Sequence, residues 1–583
     1  MSIPRLYVKT IALPDLPMLS AILPDPSEAL VWLRGEEGIV GAGVAARFDI
    51  EGSHGKEHCS AGSHGKEHCR TGRHTGERRI GGRHTEGCQS RSYDRNHGYN
   101  LNYSHKRGSC VPTSIATATP LSPPTASTRP PAHTSASVAA AQLSTVRFRE
   151  AERWWNTLLE KATISDDVNL PGTGLLAFGS FSFSPASEAG STLIIPQIVV
   201  GKRKNSAWLT IVSADPSRPY HTLCESAHKL LGAVTATSVG ASSTATSGYG
   251  TAHAQISSEL PSGEEWMEQV RRIQASIRRG EAEKVVLSRE VDFTAETDLD
   301  VRTMISALNH DYPDTWVFAV DGLVGASPEM LASNLMPDGT FPHGDDGDDV
   351  LTRVLAGTLP TTTADETGTD EATDEAVGDT TDGTADSLAD EAANQPTPGQ
   401  PNLNQPTPGQ REPDLIQRED ALLLHSCKDR EEHRLAAESA IEALQPLGTL
   451  DIHGPFIVRL PNVVHFATDI RAKLHKGTSM FDVIAALHPT AALGGTPRTA
   501  ALDLISHTEL HDRDRYGAPV GWICSGGASQ WCVALRCARI TSARSARAWV
   551  GGGIMADSQP ELELAETRAK LRPIMAALSG EKR

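Results

Sequence analysis

Residues 551–558 read Gly-Gly-Gly-Ile-Met-Ala-Asp-Ser, and a helix is predicted to follow them over residues 560–578. Glycine carries no Cβ, so a run of three lets the main chain approach a ligand closely. In the predicted helix, Glu563, Glu566 and Lys570 recur at spacings of three and four residues and therefore share one face. The stretch predicts a ligand-facing backbone next to a charged helix face.

The residues upstream of this stretch alternate between predicted helices and strands. Residues 264–279 place apolar side chains on one helical face, and Gly280 is a stop signal. A strand is predicted to begin at Lys284, and another helix covers residues 429–444. This mixture predicts an α+β fold in which antiparallel sheets are flanked by helices.

The first part of the chain is predicted to be a β-rich half made of residues 1–50 and 146–234. Its apolar runs are short, as at residues 191–195, and Gly and Pro separate them, which is typical of strands and turns. Residues 235–258 are rich in Ser, Thr, Ala and Gly and are predicted to be a flexible linker. Residues 259–580 form the remaining folded region.

Two segments differ in composition from the rest, residues 51–145 and residues 360–419. The first repeats Gly-Ser-His-Gly-Lys-Glu-His-Cys at 52–59 and 62–69, and the second is acidic and rich in Thr and Gly. Such compositions cannot bury enough apolar surface to offset the entropy lost on ordering. We predict that both are disordered insertions in surface loops, because lengthening a loop costs little extra closure entropy.

The histidines and cysteines of the tandem repeat could instead bind Zn²⁺. The candidate ligands are His54, His58, Cys59, His64, His68 and Cys69. Their spacing matches no closed four-ligand pattern, so the expansion of a repeat within a loop is the favoured interpretation.

The overall composition argues against several classes of protein. The chain has 54 basic and 72 acidic residues, a net charge of −18, whereas nucleic-acid binding needs clustered Lys and Arg. No apolar run approaches the roughly 18 residues of a membrane span, and no signal pattern opens the chain. We expect a cytoplasmic protein with its cysteines reduced and without nucleic-acid or membrane partners.

The C-terminal region resembles the chorismate-binding enzyme family, which includes anthranilate synthase component I and the aminodeoxychorismate, isochorismate and salicylate synthases. The matching motifs, in the family's order, are EKVVLSR (283–289), ASPEML (326–331), LAGT (355–358), KDREEH (428–433), LHPT to GTPR (487–498), YGAPVGW (516–522), VALR (533–536) and GGGIMADS (551–558). The resemblance implies large antiparallel β-sheets that form a two-layer core with helices packed outside. Both predicted insertions fall between these motifs.

The resemblance also implies a reaction, the conversion of chorismate to isochorismate. Water attacks C2 of the ring, the double bonds shift, and the C4 hydroxyl leaves, which requires a base and an acid. Lys284 is implied as the base, although a lysine must first lose the proton it carries at neutral pH. Glu329 is implied as the acid, so its carboxyl must stay protonated. A surface lysine and an exposed turn glutamate are the alternative readings.

The family's metal is Mg²⁺, and its implied ligands are Glu432 and Glu566. Mg²⁺ is typically held by one or two protein carboxylates together with substrate oxygens and water. Glu563 is a candidate carboxylate that would act through a water molecule. A surface ion pair between Glu566 and Lys570 is the alternative reading of this helix face.

The remaining implied contacts bind the substrate. They are assigned to Gly357, Thr358, His465, Ala492, Tyr516, Arg536, Gly551, Gly553 and Lys570. Arg536 follows an apolar strand, where a buried arginine needs an anionic partner, and the family places the enolpyruvyl carboxylate there, next to Tyr516. Lys570 is implied to face the ring carboxylate. His488 also stands at a family position, and a structural histidine is the alternative for it.

Three positions favour isochorismate synthase over the other members of the family. Amine-adding relatives usually carry Gln where this chain has Lys284, aminodeoxychorismate synthases often carry Lys in place of Ala356, and salicylate synthases tend to carry Thr in place of Ala492. We therefore expect a monomeric isomerase whose product feeds menaquinone or siderophore synthesis. Salicylate synthase, an amine-forming synthase and a non-catalytic, metal-binding remnant of the fold remain as alternatives.

Overall fold

The computed structural model describes residues 3–14, 16, 19–23, 29–52, 135–215, 252–335, 349–360, 423–459 and 463–580. The two predicted insertions lie almost wholly outside these ranges, as do the six candidate zinc ligands. No helix within the described ranges is both long enough and apolar enough to cross a membrane.

The described strands and helices alternate along the chain. The strands are β1 (Tyr7–Leu13), β2 (Leu30–Arg34), β3 (Glu37–Ala42), β4 (Ala46–Ile50), β5 (Thr163–Asp166), β6 (Leu176–Ser180), β7 (Ser191–Ile195), β8 (Ile198–Arg203), β9 (Ser206–Ser213), β10 (Gln255–Leu260), β11 (Lys284–Thr294), β12 (Trp316–Val320), β13 (Leu323–Ser327), β14 (Met330–Ser333), β15 (Asp349–Pro360), β16 (Gly448–Arg459), β17 (Val463–Leu474), β18 (Gly495–Thr496), β19 (Pro519–Cys524), β20 (Ser529–Val533), β21 (Cys537–Ser542) and β22 (Ser545–Ile554). The helices are α1 (Ser135–Lys161), α2 (Gly263–Arg278), α3 (Val301–Asp311), α4 (Cys427–Leu444), α5 (Met480–Leu487), α6 (Arg498–Thr508) and α7 (Pro560–Ser579), with a short 3₁₀ helix at Leu19–Ala21.

These strands form two large sheets. The larger has 13 described strands in the order β10-β11-β22-β21-β13-β12-β2-β3-β8-β9-β1-β5, with β18 also paired to β11. The smaller has nine described strands in the order β16-β17-β15-β14-β20-β19-β6-β7-β4. Neighbouring strands run antiparallel, except that β1 and β5 are parallel. One hydrophobic core draws side chains from both sheets, such as Trp32 and Trp531, so the predicted α+β fold with a two-layer core is confirmed.

Both sheets combine the two halves of the sequence. In the larger sheet, β2 of the first half pairs with β12 of the second. In the smaller sheet, β6 of the first half pairs with β19 of the second. The β-rich half is therefore built into the same two layers as the C-terminal region.

The structure differs from the predicted boundaries at two places. Helix α1 begins inside the predicted insertion, where the alanine-rich residues 135–142 have high helix propensity. The last four residues of the predicted linker, 255–258, belong to β10. This edge strand is exposed on both faces, so it carries no alternation of apolar residues that could have revealed it.

Helix α2 holds β11 in place from one side. Its first turn is closed by a capping box between Ser262 and Glu265, and Gly280, with a φ of +79°, follows its last turn. Its buried stripe, which includes Trp266 and Ile273, packs against the apolar residues at the start of β11. The periodicity that predicted this helix therefore marks the face that supports the strand beginning at Lys284.

Two of the points at which the chain crosses between the sheets lie next to each other. Residues 328–329 join β13 of the larger sheet to β14 of the smaller, and residues 534–536 join β20 back to β21. The crossings are bonded to each other, because the Val533 amide donates to the Glu329 carbonyl at 3.1 Å and the Ala326 amide to the Arg536 carbonyl at 3.2 Å. Glu329 and Arg536 are thus brought together by the topology.

Strand β15 carries a bulge at Gly357, where its register with β17 shifts by one residue. Gly357 has a φ of +72°, and a Cβ added to it would lie 2.6 Å from the carbonyl oxygen of Asp429 in α4. The bulge therefore requires a glycine for its backbone conformation and for the close approach of α4.

We predict that Gly357→Ala destabilises the protein more than Gly280→Ala. Gly280 has a similar φ of +79°, but nothing lies within 4 Å of its added Cβ. The control should cost about 1 kcal/mol of unfolding free energy from backbone strain alone, and Gly357→Ala about 1–3 kcal/mol more because α4 must move. Urea unfolding measures both. Equal losses would contradict the close approach of α4 to β15.

Candidate active site

One cavity lies where the two crossings meet β15, β17, β22, α4 and α7. Its walls are formed by Val286, Pro328, Glu329, Leu355, Ala356, Glu432, His465, Ala492, Leu493, Tyr516, Leu535, Arg536, Trp549, Val550, Gly551, Gly552, Gly553 and Lys570. Nine of the predicted site residues are in this wall: Glu329, Glu432, His465, Ala492, Tyr516, Arg536, Gly551, Gly553 and Lys570. The structure thus gathers residues from far-apart parts of the sequence around one space.

Four predicted site residues adjoin this wall without forming it. Lys284 is fully buried and lies 2.9 Å from the wall residue Glu432, between Nζ and Oε1. Glu566 lies 2.6 Å from Lys570, between Oε1 and Nζ. Gly357 is adjacent to Ala356 but contacts α4, and Thr358 stands opposite His465 in the β15–β17 ladder.

Three lysine–glutamate ion pairs stand next to this cavity. Besides Lys284–Glu432 and Lys570–Glu566, the ammonium of Lys428 lies 2.8 Å from the carboxylate of Glu563, whose side chain is 1% exposed. The Lys284–Glu432 pair links β11 to α4, and the Lys428–Glu563 pair links α4 to α7. The third pair lies within α7. The expected Glu566–Lys570 pair exists, but it lies at the edge of the cavity, with less than a third of either side chain exposed.

The charged neighbours of Glu432 and Lys570 oppose the effect of burial on these two groups. Burial alone would raise the pKa of Glu432, but Lys284, Lys570 and Lys428 hold it below its ordinary value. Burial opposes the charge of Lys570 as well, yet its pKa is raised because Glu566 and Glu432 are close. An anionic ligand could therefore bind here by replacing a glutamate as the partner of a lysine, and a cation could bind by replacing a lysine as the partner of a glutamate.

Gly553 makes room for the innermost of these pairs. A Cβ at this position would lie 2.7 Å from Glu432 Oε1 and 2.9 Å from Lys284 Cε. The sequence suggested that the glycine run lets the backbone approach a ligand. The structure adds a second reason, because a larger residue here would displace the Lys284–Glu432 pair.

Glu329 lines this cavity with a carboxyl group whose protonated form is favoured by burial. It is 5% exposed and lies in the crossing between β13 and β14. Burial raises the pKa of Glu329 to about 8, against the opposing effect of Lys284 and Lys570. At neutral pH this carboxyl therefore holds a proton that it can donate.

The other polar residues of the wall have separate electrostatic characters. Burial lowers the pKa of His465 to about 3, helped by Arg536 and Lys570, so its ring is neutral at physiological pH. Burial raises the pKa of Tyr516, so its hydroxyl remains a hydrogen-bond donor. Arg536 has a φ of +45° at the second crossing, which sets the direction of its side chain. The wall thus presents a guanidinium, a phenol and a neutral imidazole.

His488 lies away from this cavity. Its Nε2 atom is 2.9 Å from the carbonyl oxygen of Phe183, and its ring packs edge-on against Phe183 and Phe148. This environment is that of a structural histidine, the alternative that the sequence left open.

Sequence reasoning missed the apolar part of the wall and Lys428. Leu493 and Leu535 lie within the quoted motifs and Trp549 two residues before another, but none of them carries a charged group that would single it out. Lys428 opens the KDREEH motif, and its spacing of four residues from Glu432 was a usable signal that both face the same side of α4.

The carboxylates of this site suit a hard divalent cation. Among the described residues no group of three or more His, Cys, Asp or Glu side chains is clustered as a metal site. Mg²⁺ needs only one or two protein carboxylates when substrate oxygens and water complete its shell. Glu432 and Glu566, both partly exposed beside the cavity, meet that requirement.

Comparison with known proteins identifies the family. The sequence model of the chorismate binding enzymes matches residues 121–576. Isochorismate synthase MenF of Bacillus subtilis (strain 168) is 27% identical over 457 residues, which cover 76% of this chain and 83% of that protein. Isochorismate synthase EntC of Escherichia coli (strain K12) is 27% identical over 326 residues, which cover 54% of this chain and 67% of that protein.

A solved structure shares the fold. The structure of MenF, the menaquinone-specific isochorismate synthase from Escherichia coli, superimposes with a TM-score of 0.60 at 18% identity, covering 99% of this chain and 95% of that chain. The family match spans well over half of the sequence and includes every element that borders the cavity. The protein is therefore a member of the chorismate-binding enzyme family.

Proposed function

We propose that this protein is an isochorismate synthase, a Mg²⁺-dependent isomerase that converts chorismate to isochorismate. The observation that carries the proposal is that Glu329, held protonated by burial, shares one cavity wall with Glu432, and that Lys284 lies next to this wall, 2.9 Å from Glu432. The names of the relatives, isochorismate synthases from Bacillus subtilis and Escherichia coli, point to the same reaction.

The cationic and hydroxyl groups of the wall would bind the substrate's two carboxylates. Arg536 and Tyr516 supply donors for the enolpyruvyl carboxylate, and a guanidinium can hold a carboxylate with two parallel bonds. Lys570 would face the ring carboxylate, because its ammonium already lies 3.2 Å from the Gly551 carbonyl in the wall. His465, as a neutral ring, would add a hydrogen bond near the leaving side.

Lys284 would accept the proton of the attacking water. It is buried at the start of β11, and its charge is balanced by Glu432. Lys284 would serve as this base once Glu432 is engaged with another cation and no longer pairs with the ammonium.

Glu329 would donate a proton to the departing C4 hydroxyl. Its protonated state follows from burial, as in other enzymes that use a carboxylic acid as the proton donor at neutral pH. The addition of water at C2 and the loss of hydroxide at C4 then balance, because the base takes one proton and the acid supplies one.

Glu432 and Glu566 would hold the Mg²⁺ ion, and Glu563 would support them through water. When bound, the ion supplies positive charge that anchors the ring carboxylate and offsets charge in the transition state. Despite burial, Lys284, Lys570 and Lys428 hold the pKa of Glu432 below its ordinary value, which favours the ionised form that binds a cation.

The small wall residues favour the isomerase over its relatives. Ala356 and Ala492 both line the cavity, and neither can supply the amine or the hydroxyl that the resemblance associates with other products. We place the product upstream of menaquinone or siderophore synthesis, and we propose that the protein acts in the cytoplasm as a monomer.

We expect purified protein to convert chorismate to isochorismate when Mg²⁺ is present and to lose this activity when EDTA removes the ion. Product chromatography with and without ammonium measures it. Salicylate with pyruvate would instead assign a lyase step, and anthranilate or aminodeoxychorismate would assign amine transfer. A protein that leaves chorismate unchanged in all conditions would refute the proposal.

We predict that Lys284→Met lowers kcat by about 10²- to 10⁴-fold, the usual contribution of a general base. The matched control is Arg289→Met on the same strand, since Arg289 is also buried and paired, at 2.5 Å with Glu259, but does not border the cavity. Both variants should be less stable, and only the first should lose turnover per folded molecule. A Lys284→Met enzyme with the kcat of the parent would exclude lysine as the base.

We predict that kcat falls as pH rises through about 8, because Glu329 must be protonated and its pKa is raised to about 8. Well above that pH the rate should drop about tenfold per pH unit. Glu329→Gln should lose most activity at every pH, whereas Glu561→Gln, an exposed residue of α7, should keep the parent's profile. A parent rate that still rises between pH 8 and 10 would rule out Glu329 as the acid.

A further inference from the structure

Strand β11 has a gap along one edge, between Val285 and Glu290. One edge pairs with β22 from Val285 to Thr294. The other edge pairs with β18 at Lys284 and Val285, and then with β10 only from Glu290 onward. The intervening backbone groups of Val286 and Ser288 need partners, since unpaired buried backbone groups are costly.

A buried ion pair fills this gap. The guanidinium of Arg513 donates to the Val286 carbonyl at 2.7 Å, and the carboxylate of Glu509 accepts from the Ser288 amide at 2.6 Å. Arg513 and Glu509 are joined by two bonds, of 2.6 and 2.8 Å, and their side chains are only 3% and 4% exposed. The pair therefore takes the place that a neighbouring strand would occupy.

The same arginine also reaches the neighbouring segment of the cavity wall, which contains Leu493. Its Nη1 donates to the Leu493 carbonyl at 2.7 Å, while the Val286 amide donates to the Gly494 carbonyl at 3.0 Å. Val286 and Leu493 both line the cavity, and Ala492 is the next wall residue. One side chain thus fixes the spacing between the strand that carries Lys284 and the segment that carries Ala492.

We propose that Arg513 and Glu509 are positioning residues for the reaction, which set Lys284 and the 492–493 wall at the distance that catalysis needs. The expected effect on the reaction rate rests on the proposed function. Neither residue lines the cavity, so their effect passes through the backbone of Val286, Ser288 and Leu493. Lysine cannot replace Arg513, because an ammonium lacks the planar fork that bonds a carboxylate and two carbonyls together.

The chain supplies a matched control two residues away. Arg515 is as buried as Arg513, pairs with Asp321 at 2.8 Å, and donates to the carbonyls of Gly190 and Ala189. None of these partners belongs to the cavity wall. Arg513→Lys and Arg515→Lys therefore remove equivalent bonds, and only the first loosens the wall.

The test compares Arg513→Lys, Glu509→Gln and Arg515→Lys in full-length protein. For the first two we expect kcat to fall about tenfold or more while KM stays within about threefold, because misplacing a catalytic group costs rate more than binding. Hydrogen exchange should quicken in peptides covering 284–290 and 490–496. Arg515→Lys should keep kcat within about twofold and leave exchange in those peptides unchanged.

Glu509→Gln keeps the test decisive if Arg513→Lys fails to fold. The proposal is overturned if Arg513→Lys and Glu509→Gln match Arg515→Lys in kcat per folded molecule and in local exchange. If the parent makes no isochorismate, the proposed function fails separately. The exchange pattern then still decides whether this pair braces the strand.

Discussion

Buried charge that must be neutralised is the constraint around which this molecule is organised. The lysine–glutamate pairs formed by Lys284, Lys428 and Lys570 tie β11, α4 and α7 together. If one member of such a pair moves away, the other is left as an unpaired charge in an environment that solvates it poorly. The two members are therefore held in place together. A dianionic substrate and a divalent cation are the kind of ligands that can replace these internal partners without leaving a charge unsatisfied. The residues that neutralise one another in this site are in this way the same ones that a ligand would engage.

The sheet topology explains why these charges meet at one place. Two of the segments that cross between the sheets, residues 328–329 and 534–536, are bonded side by side, which sets Glu329 and Arg536 at the rim of the same space. Backbone hydrogen bonds of this kind are worth little individually, but they leave the two segments no alternative partner. Residues such as Tyr516 and Gly553 then complete a wall whose geometry depends on strands far apart in sequence.

The sequence was informative where local pattern and chemistry coincide. The amphipathic period of residues 264–279 predicted α2 to within one residue, and the motifs containing Glu329, Glu432 and Arg536 predicted side chains that do share a cavity. Strand β10 was not predictable, because an exposed edge strand has no apolar alternation. The bracing role inferred for Arg513 was equally hidden, since it depends on which backbone groups lack a strand neighbour, a property of the assembled sheet rather than of any segment.

Because each sheet is completed by strands from both ends of the sequence, the catalytic region is not a separable module. A fragment that starts near residue 259 would lack β2 and β6. The edge of β12 that pairs with β2 and the edge of β19 that pairs with β6 would then have no neighbouring strand. Bare internal strands invite association with any other chain that offers an edge. A protein fragment produced by cutting the gene at this point would be prone to aggregation. Recombination that exchanged one half for the corresponding half of a distant relative would have to preserve both the β2–β12 and the β6–β19 pairing.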